Sequence, residues 1–206
     1  MNIILIGPPA CGKGTQAKLL SEKFNLVHIS TGELIREIIS NKQNGYQNLL
    51  EYVSKGKLVP DELVINLLKE HLETSNTKNG FLFDGFPRTL NQANLLETII
   101  SVDYIFEIRV SEQSVNERIT ERFVCENCGA SYSKKLTKND FCTECSGKLI
   151  KRVDDTQEKL ANRYKDYWET TNSVLNYYKN RKGFHQINGE KSVEMVFDQI
   201  CKYLEE

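Results

Sequence analysis

The chain has 206 residues, of which 39% are hydrophobic and 27% charged, with only 4 Pro and 12 Gly. That length fits one large domain with small insertions and not two full-sized enzymatic domains, and the composition excludes disordered, collagen-like and low-complexity classes. Lys and Arg number 27 against 28 Asp and Glu, for a net charge of −1, which removes the uniform attraction of a general nucleic-acid binder, so any polyanion site has to be local.

Ile3-Ile4-Leu5-Ile6 is a short β-branched run ended by Gly7-Pro8-Pro9. It is too short for a signal peptide or a membrane span, so a soluble, cytoplasmic protein with no membrane or nucleic-acid partner is expected. Lys13 to Phe24 places Ala17, Leu19, Leu20 and Phe24 at roughly helical spacing, giving strand, glycine loop, helix. Leu26 to Ile29, Phe81 to Phe83, Tyr104 to Val110 and Phe184 to Ile187 repeat the short apolar run between longer helical patterns. This alternation predicts an α/β fold with a parallel sheet covered on both faces. Helices are expected from Asp61-Glu62 through Leu72, from Ser111-Glu112 toward Arg122, from about Asp155 to Arg181, and from Val193 to Leu204. Thr31 to Val59 and Phe123 to Lys151 interrupt this plan and read as insertions over the sheet's C-terminal edge, where open α/β sheets bind ligands.

Gly7-Pro8-Pro9-Ala10-Cys11-Gly12-Lys13-Gly14-Thr15 has the strand before it and the helix after it that a phosphate loop requires. Such a segment supplies inward backbone N–H groups, a helix N-terminus and one ammonium to a triphosphate. Cys125-x2-Cys128 and Cys142-x2-Cys145 are knuckles separated by 13 residues, with Gly129 and Gly147 near the turns. Four thiolates at that spacing can close a tetrahedral structural zinc site, and the segment between them has too few large apolar residues to fold without the metal. The rival reading, disulfides or a redox pair, is disfavoured if the protein is intracellular, where thiols are kept reduced. Cys11 and Cys201 stand far apart and look like no disulfide; Cys11 is read either as a thiol facing the nucleotide or as a small residue packed under the loop.

The Gly12-Lys13-Gly14-Thr15 ending resembles the nucleoside monophosphate kinases. His28 to Arg36 and the segment Gly80-Phe81-Leu82-Phe83-Asp84-Gly85-Phe86-Pro87-Arg88-Thr89 are similar to further motifs of that family, and Gln92 follows Arg88 at its adenine-reading spacing. With Arg118, Arg122, Arg152-Val153-Asp154-Asp155 and Arg163, the resemblance spans essentially the whole chain and is specific to the long-lid, bacterial-type adenylate kinases.

The resemblance implies a three-layer P-loop sandwich on a five-stranded parallel sheet, with a core of residues 1–29, 60–121 and 152–206, an AMP-binding insertion of residues 30–59 and a zinc-binding lid of residues 122–151. It implies a monomer that transfers a phosphoryl group from MgATP to AMP, giving two ADP. ATP would be held by Gly7, Pro9, Ala10, Cys11, Gly12, Lys13, Gly14, Thr15, Arg118, Arg122 and Lys191. AMP would be held by Thr31, Arg36, Lys57, Val59, Gly85, Arg88, Gln92, Arg152 and Arg163. Catalysis would rest on Lys13, Arg88, Arg122, Arg152 and Arg163, with Asp84 reaching the waters of Mg2+ in place of capping a helix. Zinc would sit on Cys125, Cys128, Cys142 and Cys145. Arg118 and Arg122 are expected one helical turn apart, facing one phosphate cluster.

The aromatic set Tyr164, Tyr167, Trp168, Tyr177 and Tyr178 is expected to pack helices. Three departures from the family pattern stand out: Ala10 where Gly is usual, which is expected to keep a negative φ; Glu33 where Asp is common; and a shorter linker between the knuckles. A UMP/CMP kinase shares the loop and the arginines, but the cysteine-bearing lid and the Thr31 and Gln92 pair weigh against it. A zinc-knuckle adaptor with a regulatory nucleotide is the reading from outside the enzymes, and the near-zero charge disfavours its nucleic-acid form.

Overall fold

The structure is a computed structural model and describes residues 1–75, 79–135, 137, 139–152 and 155–205; Val153 and Asp154 of the Arg152 motif lie outside the described residues. Five parallel strands form the central sheet: β1 (Ile3–Ile6), β2 (Val27–Ser30), β3 (Phe81–Asp84), β4 (Tyr104–Arg109) and a last strand, Phe184–Asn188, in the spatial order β2, β3, β1, β4, last. Side chains alternate across a strand, so a strand covered on both faces must be apolar at every position. β1 meets that condition: Ile3 and Leu5 join one core and Ile4 and Ile6 the other.

The first core is closed by α1 (Lys13–Phe24) through Ala17 and Leu20, and by the C-terminal helix Val193–Glu205 through Val196 and Ile200. Across the sheet, α4 (Asp61–Thr74) contributes Val64 and Leu68, and α5 (Leu90–Ile99) contributes Ala93 and Leu96. Phe83 and Phe86 are fully enclosed there, and each such large side chain stabilises the fold by roughly 1.5–3 kcal/mol. The chain leaves β1 on one side for β2 and β3 and crosses to the other for β4. This reversal opens a crevice at the C-terminal ends of β1, β3 and β4.

Both insertions rise from that edge. α2 (Thr31–Ser40) and α3 (Tyr46–Ser54) form the first without a strand of its own. The second follows α6 (Glu112–Glu121) and is a three-stranded antiparallel sheet of β5 (Arg122–Cys125), β6 (Ser131–Ser133) and β7 (Leu149–Ile150), with β5 in the middle. Its small core consists of Cys125, Cys142 and Leu149 with Phe123, Ala130 and Tyr132 around them.

Four expectations need correction. The second strand begins at Val27, not Leu26, because Leu26 still receives the chain from α1 through its N–H to Ser21 O, 3.0 Å. Arg122 is not on the helix of Arg118: α6 ends at Glu121, and pairing of Phe123 with Tyr132 and of Val124 with Ser131 and Ile150 draws the backbone into β5. The helix after the lid is not one regular α-helix reaching Arg181. α7 (Gln157–Asp166) passes through a π-turn at Tyr167–Thr171 into α8 (Asn172–Tyr178), with the Thr170 hydroxyl on the Asp166 carbonyl at 2.5 Å. In the aromatic set, Tyr167 and Tyr178 are buried packing residues, but Trp168 is 51% exposed, set on edge against Tyr164 and Tyr167. The last strand and helix are β8 (Phe184–Asn188) and α9 (Val193–Glu205). No helix among the described residues is long and apolar enough to cross a membrane.

Candidate active site

The loop between β1 and α1 is shaped by steric necessity. A Cβ at Gly7 would lie 2.5 Å from the Ile108 carbonyl oxygen and 2.6 Å from Cys11 Sγ, so only glycine fits, and Gly12 takes a left-handed φ of 102°. Ala10 also has a positive φ, 57°, contrary to the expected negative one. An L-residue there costs roughly 1–2 kcal/mol, which the loop sustains to keep its course. Helix α1 starts with no side-chain cap, so its first N–H groups face the loop unclaimed by a capping side chain. Lys13 folds back over the loop, its ammonium donating to the carbonyls of Gly7 at 2.7 Å and Pro8 at 2.9 Å. Cys11 is only 2% exposed and packs with Leu5, Ile108 and Ile187 beneath the loop. Its sulfur also accepts from the Lys13 ammonium at 3.4 Å, so the thiol is packed under the loop and touches the loop's one cation. Cys201, on α9, is likewise buried.

Asp84 closes β3 at the edge of the crevice, with its Oδ2 3.8 Å from His28 Nε2. Burial pushes its carboxyl up, but His28, Lys13 and Arg88 together outweigh that and hold it below the ordinary carboxylate value. A Cβ on Gly14 would lie 3.4 Å from the same Oδ2, so α1 begins against the carboxylate. An ionised oxygen donor beside the phosphate loop suits the hydration shell of a magnesium ion brought in with a nucleotide.

Two arginines on this side each lie over a glycine. A Cβ on Gly32 would meet Arg36 Nη1 at 3.2 Å, and one on Gly85, whose φ is 74°, would meet Arg88 Nη2 at 3.0 Å. The Gly85 carbonyl accepts from Arg88 Nε at 2.7 Å and from the Thr31 hydroxyl at 3.2 Å, joining the start of α2 to the end of β3. Gln92 is buried with Oε1 accepting the Arg88 amide at 2.8 Å and Nε2 donating to Asp61 at 2.7 Å. Thr171, brought inward by the π-turn, donates to the Arg88 carbonyl at 3.2 Å. Val59 sits in the core under the first insertion, whereas Lys57 is exposed.

Arg118, on α6, reaches the phosphate loop itself: Nη1 donates to Cys11 O at 3.2 Å and Nη2 to Gly189 O at 2.7 Å. Arg122 and Arg163 converge on Asp155, Arg122 through two contacts and Arg163 Nη1 at 3.5 Å. Arg152 is half-buried just past β7, and Lys191 is exposed in the turn between β8 and α9. Asp155, Thr171, Asp61 and Glu190 are the residues of this region to which sequence reasoning gave no role. Glu190 accepts the Ser111 amide at 2.6 Å and the Ser114 hydroxyl at 2.6 Å at the start of α6. Asp61 was legible only as a helix opener, and nothing local in the sequence marks its partners.

The four knuckle cysteines bring their sulfurs within 4.8 Å of one another, with Cys125 and Cys145 at 3.4 Å and Cys128 and Cys142 at 3.6 Å. Tetrahedral Zn–S bonds of about 2.3 Å require sulfur separations near ~3.8 Å, so the cluster fits zinc. The amides of Asn127 and Glu144 point at Cys125 Sγ and Cys142 Sγ, each at 3.4 Å, and the Tyr132 hydroxyl contacts Cys142 Sγ at 3.1 Å. The Tyr132 hydroxyl, with the Glu144 and Cys145 amides, lowers the Cys142 thiol to about 6, whereas crowding by the neighbouring sulfurs raises Cys128 and Cys145. An ion pair between Lys18 and Glu144 ties this knuckle to α1.

A family model described as adenylate kinase matches residues 5–183. Among curated proteins, an adenylate kinase of Clostridium tetani is 44% identical over 99% of this chain and 98% of that protein. One from Clostridium perfringens is 40% identical over 99% and 98%, and one from Archaeoglobus fulgidus 39% over 100% and 98%.

Proposed function

We infer the reaction of this chain from the adenylate kinase family, to which it belongs: as a nucleoside monophosphate kinase, it moves the terminal phosphoryl group of MgATP to AMP and back, giving two ADP. The observation that carries the reading is the loop closed by Lys13, with Arg118 bonded to its Cys11 carbonyl and ionised Asp84 at its rim. A phosphoryl transfer of this kind passes through a loose transition state with charge spread over the transferred oxygens, so the protein's part is positioning and electrostatics and no nucleophilic side chain is required.

In this reading the amides of Gly7 to Thr15 and the Lys13 ammonium hold the phosphates of ATP, with Arg118 and Lys191 beside them. To bind the nucleotide, Lys13 exchanges the Gly7 and Pro8 carbonyls for phosphate oxygens, a stronger charge-assisted contact. Arg36 and Arg88 take the AMP phosphate in guanidinium forks, while Thr31, Lys57, Val59, Gly85 and Gln92 surround the nucleoside. Arg122, Arg152 and Arg163 enclose the transferred group. Asp84 would hold the hydration shell of the magnesium that enters with ATP, an ion that would neutralise phosphate charge. The lid, folded around zinc, covers the site and keeps water from competing as acceptor.

The test is ADP formation by the purified protein from ATP with AMP, UMP, CMP and GMP in parallel. AMP gives the highest kcat/KM; an equal or higher value for UMP or CMP overturns the adenylate reading.

A further inference from the structure

The carboxylate of Asp61, the first residue of α4, accepts from three side chains at the start of α5. Thr89 Oγ1 donates to Oδ2 at 2.7 Å, Asn91 Nδ2 to Oδ2 at 3.1 Å, and Gln92 Nε2 to Oδ1 at 2.7 Å. The Thr89 hydroxyl in turn accepts the Gln92 amide at 3.1 Å, so the same carboxylate steadies the cap of α5. Gln92, 3% exposed, has its other end fixed too, with Oε1 on the Arg88 N–H at 2.8 Å.

A carboxylate can only accept and a backbone N–H can only donate, so these two contacts decide which end of the Gln92 carboxamide is oxygen and which is nitrogen. Turning the amide over would set its NH2 against the Arg88 N–H and its oxygen against the Asp61 carboxylate. In a buried place both contacts are repulsive. A primary amide has two donors and an oxygen with two lone pairs. One donor and one lone pair are engaged here, which leaves one of each to pair with a base. An aminopurine offers an N–H donor beside a ring acceptor; an oxopurine offers the reverse, a carbonyl acceptor beside a ring N–H. An amide of fixed orientation matches one pattern and opposes the other, and a site built on hydrogen bonds rejects a mismatch strongly.

We propose that Asp61 is a positioning residue that sets the base selectivity of the monophosphate site, by holding the Gln92 carboxamide in the orientation that accepts an aminopurine and rejects an oxopurine. The proposal rests on the reading that Gln92 meets the base of the monophosphate.

The experiment compares AMP with IMP, which exchanges the amino group for an oxo group at equal size, as acceptors at saturating MgATP. In Asp61→Ala the ratio of kcat/KM for AMP to that for IMP falls by about tenfold, through a raised KM for AMP, while the KM for ATP is unchanged. Asp61→Asn, whose oxygen can still face Gln92 Nε2, keeps most of the ratio, a rescue that a generic packing role would not show. Gln92→Leu loses at least as much as Asp61→Ala. Melting curves verify folding, and Asp61→Ser, too short to reach Gln92, takes the place of alanine if that variant does not fold. A wild-type ratio in Asp61→Ala or Asp61→Ser, alongside a collapsed ratio in Gln92→Leu, overturns the role of Asp61 and leaves the reading of Gln92 standing. A wild-type ratio in Gln92→Leu overturns that reading and the proposal with it.

Discussion

Arg122 and Asp155 form a two-point ion pair that joins the first residue of the lid to the segment leading back out of it: Nε donates to Oδ2 at 2.7 Å and Nη2 to Oδ1. The Asp155 side chain is 0% exposed, and Arg163 stands 3.5 Å from the same Oδ1. One carboxylate therefore holds two guanidinia on opposite sides of the lid's attachment. Removing one partner of such a buried cluster leaves charge uncompensated, at a cost of about 3–5 kcal/mol. Asp155→Ala is expected to lower stability by about 3 kcal/mol, read as a shifted urea midpoint at unchanged slope. It also lowers kcat, since Arg122 and Arg163 lose their common anchor. A midpoint equal to the wild type would show the cluster to be screened by solvent.

Lys13→Met and Arg88→Ala are expected to lose activity mainly in kcat while remaining folded. In the proposed reaction both cations face charge that shifts during transfer, and removing one preorganised donor costs about 3–4 kcal/mol, or 10²–10³ in rate. Steady-state kinetics with AMP and ATP varied separately are the check. Wild-type turnover in either folded variant removes that residue from the site.

One zinc per chain is expected on Cys125, Cys128, Cys142 and Cys145. The lid's core beyond the thiols is little more than Leu149, Phe123, Ala130 and Tyr132, so a bound metal would supply much of its folding energy. Metal analysis should give one equivalent, and chelation should lower the melting temperature while some activity persists at low temperature. Unchanged melting after the metal is stripped would count against a structural role.

Asp84 predicts a pH dependence of stability. Its carboxyl is held below the ordinary value in the folded protein, so ionisation favours the folded state. The stabilisation is fully present above the unfolded value of about 3.9 and is lost as pH falls through the lower folded value. Melting temperatures of the wild type and Asp84→Asn, followed from neutral pH into acid, should run parallel above that range and converge below it. Parallel curves throughout would mean that His28, Lys13 and Arg88 do not stabilise the charge.

Ala10→Gly is expected to stabilise the protein modestly. Relief of a left-handed alanine, φ 57°, is worth roughly 1–2 kcal/mol, offset by about 0.4–1 kcal/mol of added freedom in the unfolded chain. The net is a gain of about 0–1.6 kcal/mol, visible as a higher denaturation midpoint. A loss of stability would show the alanine methyl to be held by packing against Val115, Ile119 and Leu160, the cluster it adjoins.

The sequence by itself determined the alternation of strands and helices, the phosphate loop, the two insertions and the cysteine ligand set. These depend on local patterns: Ile3–Ile6 is apolar at every position because both faces are covered, the glycine loop follows that run directly and leads into α1, and the paired Cys-x2-Cys spacing brings four sulfurs together. Only the tertiary structure decided what distant partners impose. Arg122 left the helical register of Arg118 because Phe123 and Val124 pair across the lid sheet, and periodicity along α6 contains no record of that pairing. Ala10 keeps a strained backbone because its neighbours over-determine the loop's path, which no propensity encodes. Asp155 gathering Arg122 and Arg163, Asp61 fixing Gln92 and Thr171 meeting Arg88 are contacts between segments 8 to 83 residues apart. Their energy depends on burial and geometry, and both exist only once the chain has folded.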